Sequence, residues 1–288
     1  MSGNNQMAQL SCPLCQAPLV LTQRTLRCAN NHSFDQAKQG YWHLLPVQKK
    51  RSRAPGDNAQ MVAARTRFLE KGHYLPFLSA LCAKISQKTQ RHDAPKVLDM
   101  GCGEGYYTAA IAAALPSSAE VIGLDISKEA IKAASRRNRD ICWIVASGAD
   151  MPVPQHSQDI LVVLFSRLMP DALAQVMSSG GTLLYAWPGE QHLIELRRAI
   201  YEEIKPSRFD PIKELADHFS VAEVEQHSFS FSLTNEDELD ALLHMTPHGQ
   251  RMKQEKRQQL LEQLPLTLTF DVNLGEFHPS SDDHAHAH

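Results

Sequence analysis

Three observations predict an α/β fold with a mostly parallel sheet, preceded by a small N-terminal metal-binding module. Apolar segments of strand length alternate with segments that suit helices through the centre of the 288-residue chain. A glycine-rich turn at residues 101–105 connects one of these strands to the next helix. Three of the six cysteines lie within the first 28 residues, and in a cytosolic protein such a cluster favours a metal site over disulfides.

Composition and charge are those of an ordinary globular protein. Hydrophobic residues make up 43% of the chain and charged residues 21%, which suits one large or two moderate domains. No apolar run approaches the length of a bilayer span, and residues 1–10 lack the apolar core of a signal peptide. We therefore expect a cytoplasmic protein. The net charge is −3, so contact with nucleic acid requires a local basic patch.

The N-terminal module is predicted from the spacing of four potential metal ligands. Cys12 and Cys15 are followed, after twelve residues, by Cys28 and then by His32. Two ligand pairs separated by a hairpin-length segment predict a closed, tetrahedral Cys₃His zinc site with a structural role. Two short strands at residues 18–26 form too small a core to fold alone, so the metal would contribute much of the stability. Unrelated reduced cysteines are the alternative.

Residues 37–75 form a connector that combines aromatic and basic side chains. Residues 40–46 place two aromatic residues, Tyr41 and Trp42, beside a predicted apolar strand. Four cations follow within five residues, namely Lys49, Lys50, Arg51 and Arg53. Proteins bind looped RNA through phosphate contacts and stacking on unpaired bases, so this segment is a candidate RNA-binding region. A solvated cationic loop is the alternative.

The strongest functional signal lies at residues 96–125. An apolar segment at 96–100 suits a buried parallel strand, and three glycines precede a segment at 106–115 that suits a helix. Glycine lets the backbone turn sharply and approach a ligand without a Cβ atom in the way. A second strand at 120–124 leads to Asp125, where a doubly wound sheet places an acid on a ribose hydroxyl.

The spacing of Gly101, Gly103 and Gly105 favours one class of ligand. A dinucleotide-binding turn reads G-x-G-x-x-G, whereas here the third glycine comes one residue early. Asp99 precedes the turn and Glu104 lies inside it, so the local charge suits a cationic ligand better than a pyrophosphate. The pattern D-x-G-x-G-x-G resembles the first motif of class I S-adenosylmethionine-dependent methyltransferases. A nicotinamide site and an ordinary glycine turn are the alternatives.

Short motifs extend this resemblance toward the N-terminus. They are Cys12-Pro-Leu-Cys15, Phe34-Asp35, Gly40-Tyr41, Leu44-Leu-Pro-Val-Gln48, Lys50-Arg-Ser-Arg53, Pro55-Gly56-Asp57 and Gly72-His-Tyr74. With residues 97–108 they resemble the bacterial 23S rRNA (guanine-N1)-methyltransferases, closely over about residues 10–200 and weakly to about 275. The resemblance implies a zinc-binding module (1–36), the connector (37–75) and a Rossmann-like class I methyltransferase domain (76–278). We expect residues 279–288 to form a disordered tail.

The resemblance implies two cofactors, Zn²⁺ and S-adenosylmethionine, and a guanine in a 23S rRNA hairpin loop as substrate. Nine residues are predicted to contact S-adenosylmethionine: Tyr74, Asp99, Gly101, Gly103, Glu104, Gly105, Asp125, Ser147 and His192. The backbone at the three glycines would approach the methionine part of the cofactor, and Asp99 or Glu104 would bind its ammonium group. Asp125 would accept hydrogen bonds from the ribose hydroxyls. Ser147 follows the third strand, where such enzymes meet the adenine. Tyr74 and His192 are assigned by resemblance alone.

The remaining elements are predicted from apolar periodicity and capping signals. Helices are expected at residues 57–71, 77–88, 128–137, 171–177, 193–204 and 236–245. Asp57 is the predicted N-cap of the first of these helices and Ser127 that of the third. Strands are expected at residues 141–145, 159–165, 182–187, 219–233 and 266–274. The last two would close one edge of the sheet in antiparallel orientation.

Two segments depart from the family pattern. After the fourth strand the family has an aromatic, a small residue, Pro and Cys, whereas this chain has Phe165-Ser-Arg-Leu168. After Pro247 the family has aromatic and basic residues, whereas this chain has His248-Gly-Gln-Arg251. The first segment borders the substrate side of the cofactor in class I enzymes. A methyltransferase of another RNA or of a small molecule, and a noncatalytic RNA-binding protein, are therefore alternatives.

The sequence leaves the general base and the oligomeric state open. Guanine N1 carries a proton, so a base, a polarising contact or water must free its lone pair. Asp150, Asp159 and His192 are candidates by location, and none is favoured. A monomer and a homodimer are both compatible with the predicted domains.

Overall fold

The computed structural model describes residues 8–49, 55–246, 249 and 252–280. The first unit is an antiparallel sheet of β1 (Leu10–Ser11), β2 (Pro18–Thr22), β3 (Thr25–Arg27) and β4 (Ser33–Asp35), paired in that order. Leu10 and Leu26 are buried together with Cys12 and Cys28, so the small apolar core lies directly against the cysteines. The backbone N–H of Ser11 donates to the Pro152 carbonyl at 2.9 Å, which attaches this sheet to the larger one.

The second sheet has eight strands and is mostly parallel. Its strands are β5 (Trp42–His43), β6 (Lys96–Met100), β7 (Glu120–Asp125), β8 (Cys142–Val145), β9 (Gln158–Leu164), β10 (Met177–Pro188), β11 (Phe219–Leu233) and β12 (Leu266–Pro279). Their order is β11-β12-β10-β9-β6-β7-β8-β5. Strands β5 to β10 are parallel, whereas β12 is antiparallel to both neighbours. The predicted α/β fold with an antiparallel edge is confirmed.

Helices cover both faces of this sheet. They are α1 (Ala59–Glu70), α2 (Leu75–Thr89), α3 (Tyr106–Ala114), α4 (Lys128–Arg137), α5 (Pro170–Val176), α6 (Ile194–Ile200), α7 (Pro211–Leu215), α8 (Glu236–Met245) and α9 (Gln254–Glu262). Helices α7 and α9 were not predicted. In the described part of the chain, no helix is both long and apolar enough to cross a membrane.

The helix caps test two predictions. Ser127 caps α4 as predicted, because its Oγ accepts from the backbone N–H of Ala130 at 3.1 Å. The predicted cap of α1 is wrong by one residue: Asn58, not Asp57, accepts from the backbone N–H of Met61 at 3.0 Å. The Asp57 carboxylate instead forms an ion pair with Arg65 at 2.5 Å. The preference of aspartate for helix caps does not predict this contact.

Three segments differ in length from the prediction. The helix expected at 193–204 ends at Ile200. The strand expected at 266–274 continues to Pro279, because β11 offers pairing partners as far as Phe219. The predicted tail therefore begins too early, and the Ser280 backbone N–H still donates to the His218 carbonyl at 2.9 Å. Residues 281–288 lie outside the described residues.

The basic segment falls largely outside the described residues. A 3₁₀ turn at Val47–Lys49 ends at the first of its cations. Lys50, Arg51 and Arg53 lie outside the described part of the chain. The preceding connector residues contribute strand β5 to the edge of the large sheet, where Trp42 pairs in parallel with Ile144. The connector thus supplies an edge strand of the large sheet, within the segment where the sequence predicts an apolar strand.

Candidate cofactor cleft and metal centre

A cavity of about 300 Å³ opens at the carboxyl ends of β6, β7 and β9. Adjacent parallel strands end at the same edge of a sheet, so the turn after β6 and the acid that ends β7 meet there. Five of the predicted cofactor residues line this cavity, namely Asp99, Gly101, Gly103, Glu104 and Asp125. We call this cavity the cleft.

Asp125 is held in the cleft by two backbone donors. The N–H of Gly103 donates to Oδ2 at 3.0 Å and the N–H of Ser127 donates to Oδ1 at 2.7 Å. Burial raises the pKa of this carboxyl, and the two hydrogen bonds oppose the increase. A carboxylate oxygen can accept more than one hydrogen bond. Asp125 therefore retains the capacity to accept from hydroxyl groups of a ligand.

Asp99 and Glu104 are buried acids whose carboxyl oxygens are only partly hydrogen-bonded. Their exposed fractions are 1% and 2%. Thr108 Oγ1 donates to Asp99 Oδ2 at 2.6 Å, but Asp99 Oδ1 and Glu104 Oε1 have no hydrogen-bond partner among the described residues. Burial raises the pKa of Glu104 and raises that of Asp99 to about 7. Because buried polar atoms are normally paired, these oxygens fit the cationic amino group of the predicted cofactor.

The raised pKa of Asp99 predicts a pH-dependent stability. Its folded-state pKa of about 7 exceeds the ordinary value of 3.8, so the native protein holds a proton that the unfolded chain releases. The stabilising contribution is present below about pH 4 and is lost as the pH rises through about 7. The asparagine side chain of the Asp99→Asn variant stays neutral over the whole pH range. In ligand-free protein we expect its unfolding free energy, measured in urea, to increase relative to wild type between about pH 5 and pH 8.

The exposed carboxylate of Asp140 supplies the control for this experiment, because it forms no ion pair or side-chain hydrogen bond within the described part of the chain. The Asp140→Asn variant should show a nearly constant difference from wild type over the same pH range. A constant difference for Asp99→Asn as well would contradict the raised pKa of Asp99.

Several lining residues were missed by the sequence analysis, among them Arg65, Asp57 and Tyr107. Arg65 reaches from α1 and lies over the turn, since a Cβ atom added to Gly103 would be 3.4 Å from Arg65 Nη1. Its partner Asp57 also lines the cleft. Asp57 belongs to a family motif and is a predicted helix cap, but no sequence signal indicated that either residue reaches the cleft, because only the packing of α1 brings them there. Tyr107 lines the cleft as well, and its position in the first turn of the helix after the glycines could have indicated this.

Gly105 is a predicted cofactor residue that faces the protein core. Its φ is +79°, and a Cβ atom there would lie 2.6 Å from Trp143 Cη2 and 3.0 Å from Ala134 Cβ. It does not belong to the described lining of the cleft. Gly105 therefore permits close packing of the turn on Trp143, whereas Gly101 and Gly103 face the cleft. Its contact with the cofactor stays a prediction.

Three further predicted residues also lie outside the described lining. Tyr74 is buried, and its hydroxyl has no hydrogen-bond partner among the described residues. His192 Nδ1 accepts from the backbone N–H of Asp271 at 3.2 Å, and its ring centroid is 6.4 Å from that of Tyr74. Ser147 Oγ accepts from the backbone N–H of Ala149 at 3.3 Å. Their contacts with the cofactor stay predictions.

The four predicted metal ligands converge at one point of the N-terminal sheet. The ligand atoms of Cys12, Cys15, Cys28 and His32 all lie within 4.8 Å of one another. Sγ of Cys12 and Sγ of Cys28 are each 3.5 Å from His32 Nδ1, and the Sγ atoms of Cys15 and Cys28 are 3.7 Å apart. Tetrahedral zinc bonds imply edges of roughly 3.6 Å between sulfur and nitrogen and roughly 3.8 Å between sulfurs. The donor set and its spacing therefore fit a structural zinc ion.

Comparisons with known proteins match both parts of the chain. The zinc-ribbon family model described as "RlmA, N-terminal" matches residues 10–53, and the model described as "Methyltransferase domain" matches residues 97–184. The chain is 31% identical over 280 residues to the "23S rRNA (guanine(748)-N(1))-methyltransferase" of Streptomyces fradiae, covering 93% of this chain and 97% of that relative. It belongs to the 23S rRNA (guanine-N1)-methyltransferase family.

Two further comparisons accompany this assignment. A relative from Micromonospora griseorubida is 32% identical over 301 residues, covering 95% of this chain and 98% of the relative. Among solved structures, the YcgJ protein of Bacillus subtilis is similar with a TM-score of 0.48 and 16% identity, covering 69% of this chain and 98% of that one. The curated relatives and the two family models confirm the predicted resemblance to the guanine-N1-methyltransferases. The predicted cofactors S-adenosylmethionine and Zn²⁺ are confirmed by the same family models and by the ligand cluster.

The segment after β9 is the first of the two predicted departures from the family pattern. Phe165 and Ser166 line the cleft. A Cβ atom on Gly101 would lie 2.7 Å from Ser166 Cβ, so the segment packs directly on the glycine turn. Arg167, which is exposed, and Leu168, which is buried, complete the segment. The predicted departure from the family pattern therefore lies in the wall of the cleft.

The candidate bases of a guanine-N1-methyltransferase occupy different places. Asp159 lies at the start of β9, where its Oδ2 accepts from the backbone N–H of Lys96 at 2.9 Å. That is the amino-terminal edge of the sheet, opposite the cleft. Asp150 forms an isolated bridge with Ser147. The ring of His192 lies beside that of Phe165, a residue of the cleft lining.

Proposed function

We propose that this protein is an S-adenosylmethionine-dependent methyltransferase that modifies N1 of a guanine in a 23S rRNA hairpin loop. The observation that carries the proposal is the similarity to a 23S rRNA (guanine-N1)-methyltransferase over 93% of the chain. The cleft supports it, because the buried carboxylates suit a cationic cofactor without phosphates. Methyltransferases that act on other acceptors, and a noncatalytic RNA-binding protein, are not favoured by so extensive a similarity.

The residues of the cleft would bind the cofactor in three groups. Asp125 would accept from the ribose hydroxyls, and the oxygens of Asp99 and Glu104 would accept from the ammonium group. Gly101 and Gly103 would let the backbone approach the methionine part. Tyr74 and His192 complete the proposed set through the family resemblance, Gly105 through its place in the glycine turn, and Ser147 through its position after β8.

The protein would contribute to methyl transfer by positioning the guanine against the cofactor. S-adenosylmethionine supplies a methyl group already activated by a sulfonium. The reaction forms a carbon–nitrogen bond at guanine N1, breaks the carbon–sulfur bond and releases the N1 proton. Holding N1 in line with that carbon–sulfur bond supplies much of the rate. No residue is assigned as the base that takes the proton.

RNA binding would involve the N-terminal half of the chain. We propose that the zinc module (1–36) and the connector (37–75) bind the RNA while residues 76–278 carry out transfer. The cations Lys49, Lys50, Arg51 and Arg53 would contact phosphates. A cavity of about 590 Å³ between the zinc module and α4 adds further positive charge, because Arg24, Lys38, Arg136 and Arg139 line it.

The test is a methylation assay with isotopically labelled S-adenosylmethionine. Purified protein is incubated with unmodified 23S rRNA and, as a control, with ribosomal RNA from wild-type cells of the source organism. Nuclease digestion and mass spectrometry then identify the product and its position. We expect 1-methylguanine on the unmodified RNA only. Methyl transfer to another nucleotide, or none by protein that binds both cofactor and RNA, would refute the proposed function.

A further inference from the structure

Phe165 holds an aromatic ring at the rim of the cleft in an unfavourable backbone conformation. Its φ is +53°, a left-handed value that is uncommon for bulky side chains. The backbone N–H nevertheless donates to the Ala186 carbonyl at 3.1 Å, so the conformation is fixed by the sheet. The side chain remains 41% exposed although it lines the cleft. A conformation that costs free energy and leaves an aromatic ring in water suggests a ligand for that ring.

Neighbouring rings fix the orientation of Phe165. Its centroid lies 6.0 Å from that of Phe77 and 6.4 Å from that of Tyr107, both tilted. The ring of His192 is nearly parallel to it, with an interplanar angle of 20° and a centroid separation of 6.5 Å. A flat ring placed against Phe165 would therefore also lie nearly parallel to His192. Supported on one side and exposed on the other, Phe165 has the form of a stacking platform.

We propose that Phe165 is the platform on which the target base of the RNA stacks beside the cofactor. The inference rests on the proposed function and identifies the ligand as an unpaired purine. A base extracted from an RNA loop loses stacking with its neighbours, and an aromatic side chain at the cleft restores it. Asp99 and Asp125 lie in the same cavity as Phe165, so a base on this ring adjoins the proposed cofactor position.

The experiment compares three substitutions at Phe165 in the full-length protein. Phe165→Leu and Phe165→Gly remove the ring, and the glycine variant also accommodates the left-handed backbone. Phe165→Tyr retains the ring. We expect kcat/KM for the RNA to fall about 10- to 100-fold in the leucine and glycine variants. The affinity for S-adenosylhomocysteine should change by less than about threefold, and the tyrosine variant should remain within about threefold of wild type.

Phe209→Leu is the matched control, because Phe209 is 42% exposed and lies outside the described lining of the cleft. A second readout uses hairpin RNA with 2-aminopurine in place of the methylated guanine. Stacking on an aromatic ring quenches this fluorophore, so the complex with Phe165→Leu should be brighter than the wild-type complex. The Phe209→Leu complex should match wild type in both fluorescence and methylation.

The possible outcomes distinguish a failure of the proposed role of Phe165 from a failure of the proposed function on which that role rests. Unchanged kcat/KM in Phe165→Leu, while wild type forms 1-methylguanine, would refute the platform alone. Equal losses of S-adenosylhomocysteine affinity and methylation in the leucine and tyrosine variants would assign Phe165 a structural role and also refute it. Failure of the wild-type protein to form 1-methylguanine despite binding cofactor and RNA would refute the proposed function, and the platform with it.

Discussion

Replacement of Cys28 by serine is expected to release zinc and unfold the N-terminal sheet. Cys28 lies within 3.5 Å of His32 Nδ1 and 3.7 Å of Cys15 Sγ, so its loss opens the ligand set. In small zinc domains metal binding contributes about 10–16 kcal/mol to folding. The short strands β1 to β4 bury few apolar side chains, and they cannot replace that contribution. Metal analysis should show one zinc ion per wild-type chain and far less in the variant.

Hydrogen exchange locates the effect of losing zinc. We expect residues 10–35 to lose protection in Cys28→Ser, whereas residues 97–184 keep it. Affinity for S-adenosylhomocysteine should stay within about threefold of wild type, because no described residue of the cleft lining precedes Gly56. RNA methylation should fall. Cys82→Ser is the control, since Cys82 lies in α2 outside the cluster. Full zinc content in Cys28→Ser would refute the four-ligand site.

The second large effect is expected from Asp125→Ala. The proposed contacts of this carboxylate with the ribose are charge-assisted hydrogen bonds, each worth about 1.5–3 kcal/mol. Losing two of them should weaken S-adenosylhomocysteine binding about 100-fold or more. Isothermal titration calorimetry measures the change directly. The exposed carboxylate of Asp171 provides the matched control, and Asp171→Ala should bind like wild type.

Asp125 also holds the backbone of the turn, so a direct contact must be distinguished from a local rearrangement. Its two oxygens accept from the N–H groups of Gly103 and Ser127, and alanine leaves both donors unpaired. An analogue of S-adenosylhomocysteine without ribose hydroxyls separates the two effects. Wild type should prefer the natural ligand strongly, whereas Asp125→Ala should bind both with similar affinity. Equal preference in wild type and variant would exclude a ribose contact.

The sequence by itself determined the features that depend on neighbouring residues. The ligands Cys12 to His32 span 21 residues, so their spacing alone indicated one metal site. The glycine turn is equally local, because it joins one strand to the next helix. Alternating strands and helices fixed the fold class, since parallel strands with short helical connections have few alternative arrangements. Asp125 followed from the same rule, as the residue that ends the strand next to the turn.

Only the tertiary structure decided which side chains from distant segments meet. Arg65 reaches the cleft because α1 packs beside the turn, and nothing near it in sequence indicates this. Gly105 faces the core because Trp143, 38 residues later, fills the space where a Cβ would lie. The near-parallel rings of Phe165 and His192 likewise meet across 27 residues. Such contacts depend on how whole elements pack, and local propensity and spacing carry no information about that packing.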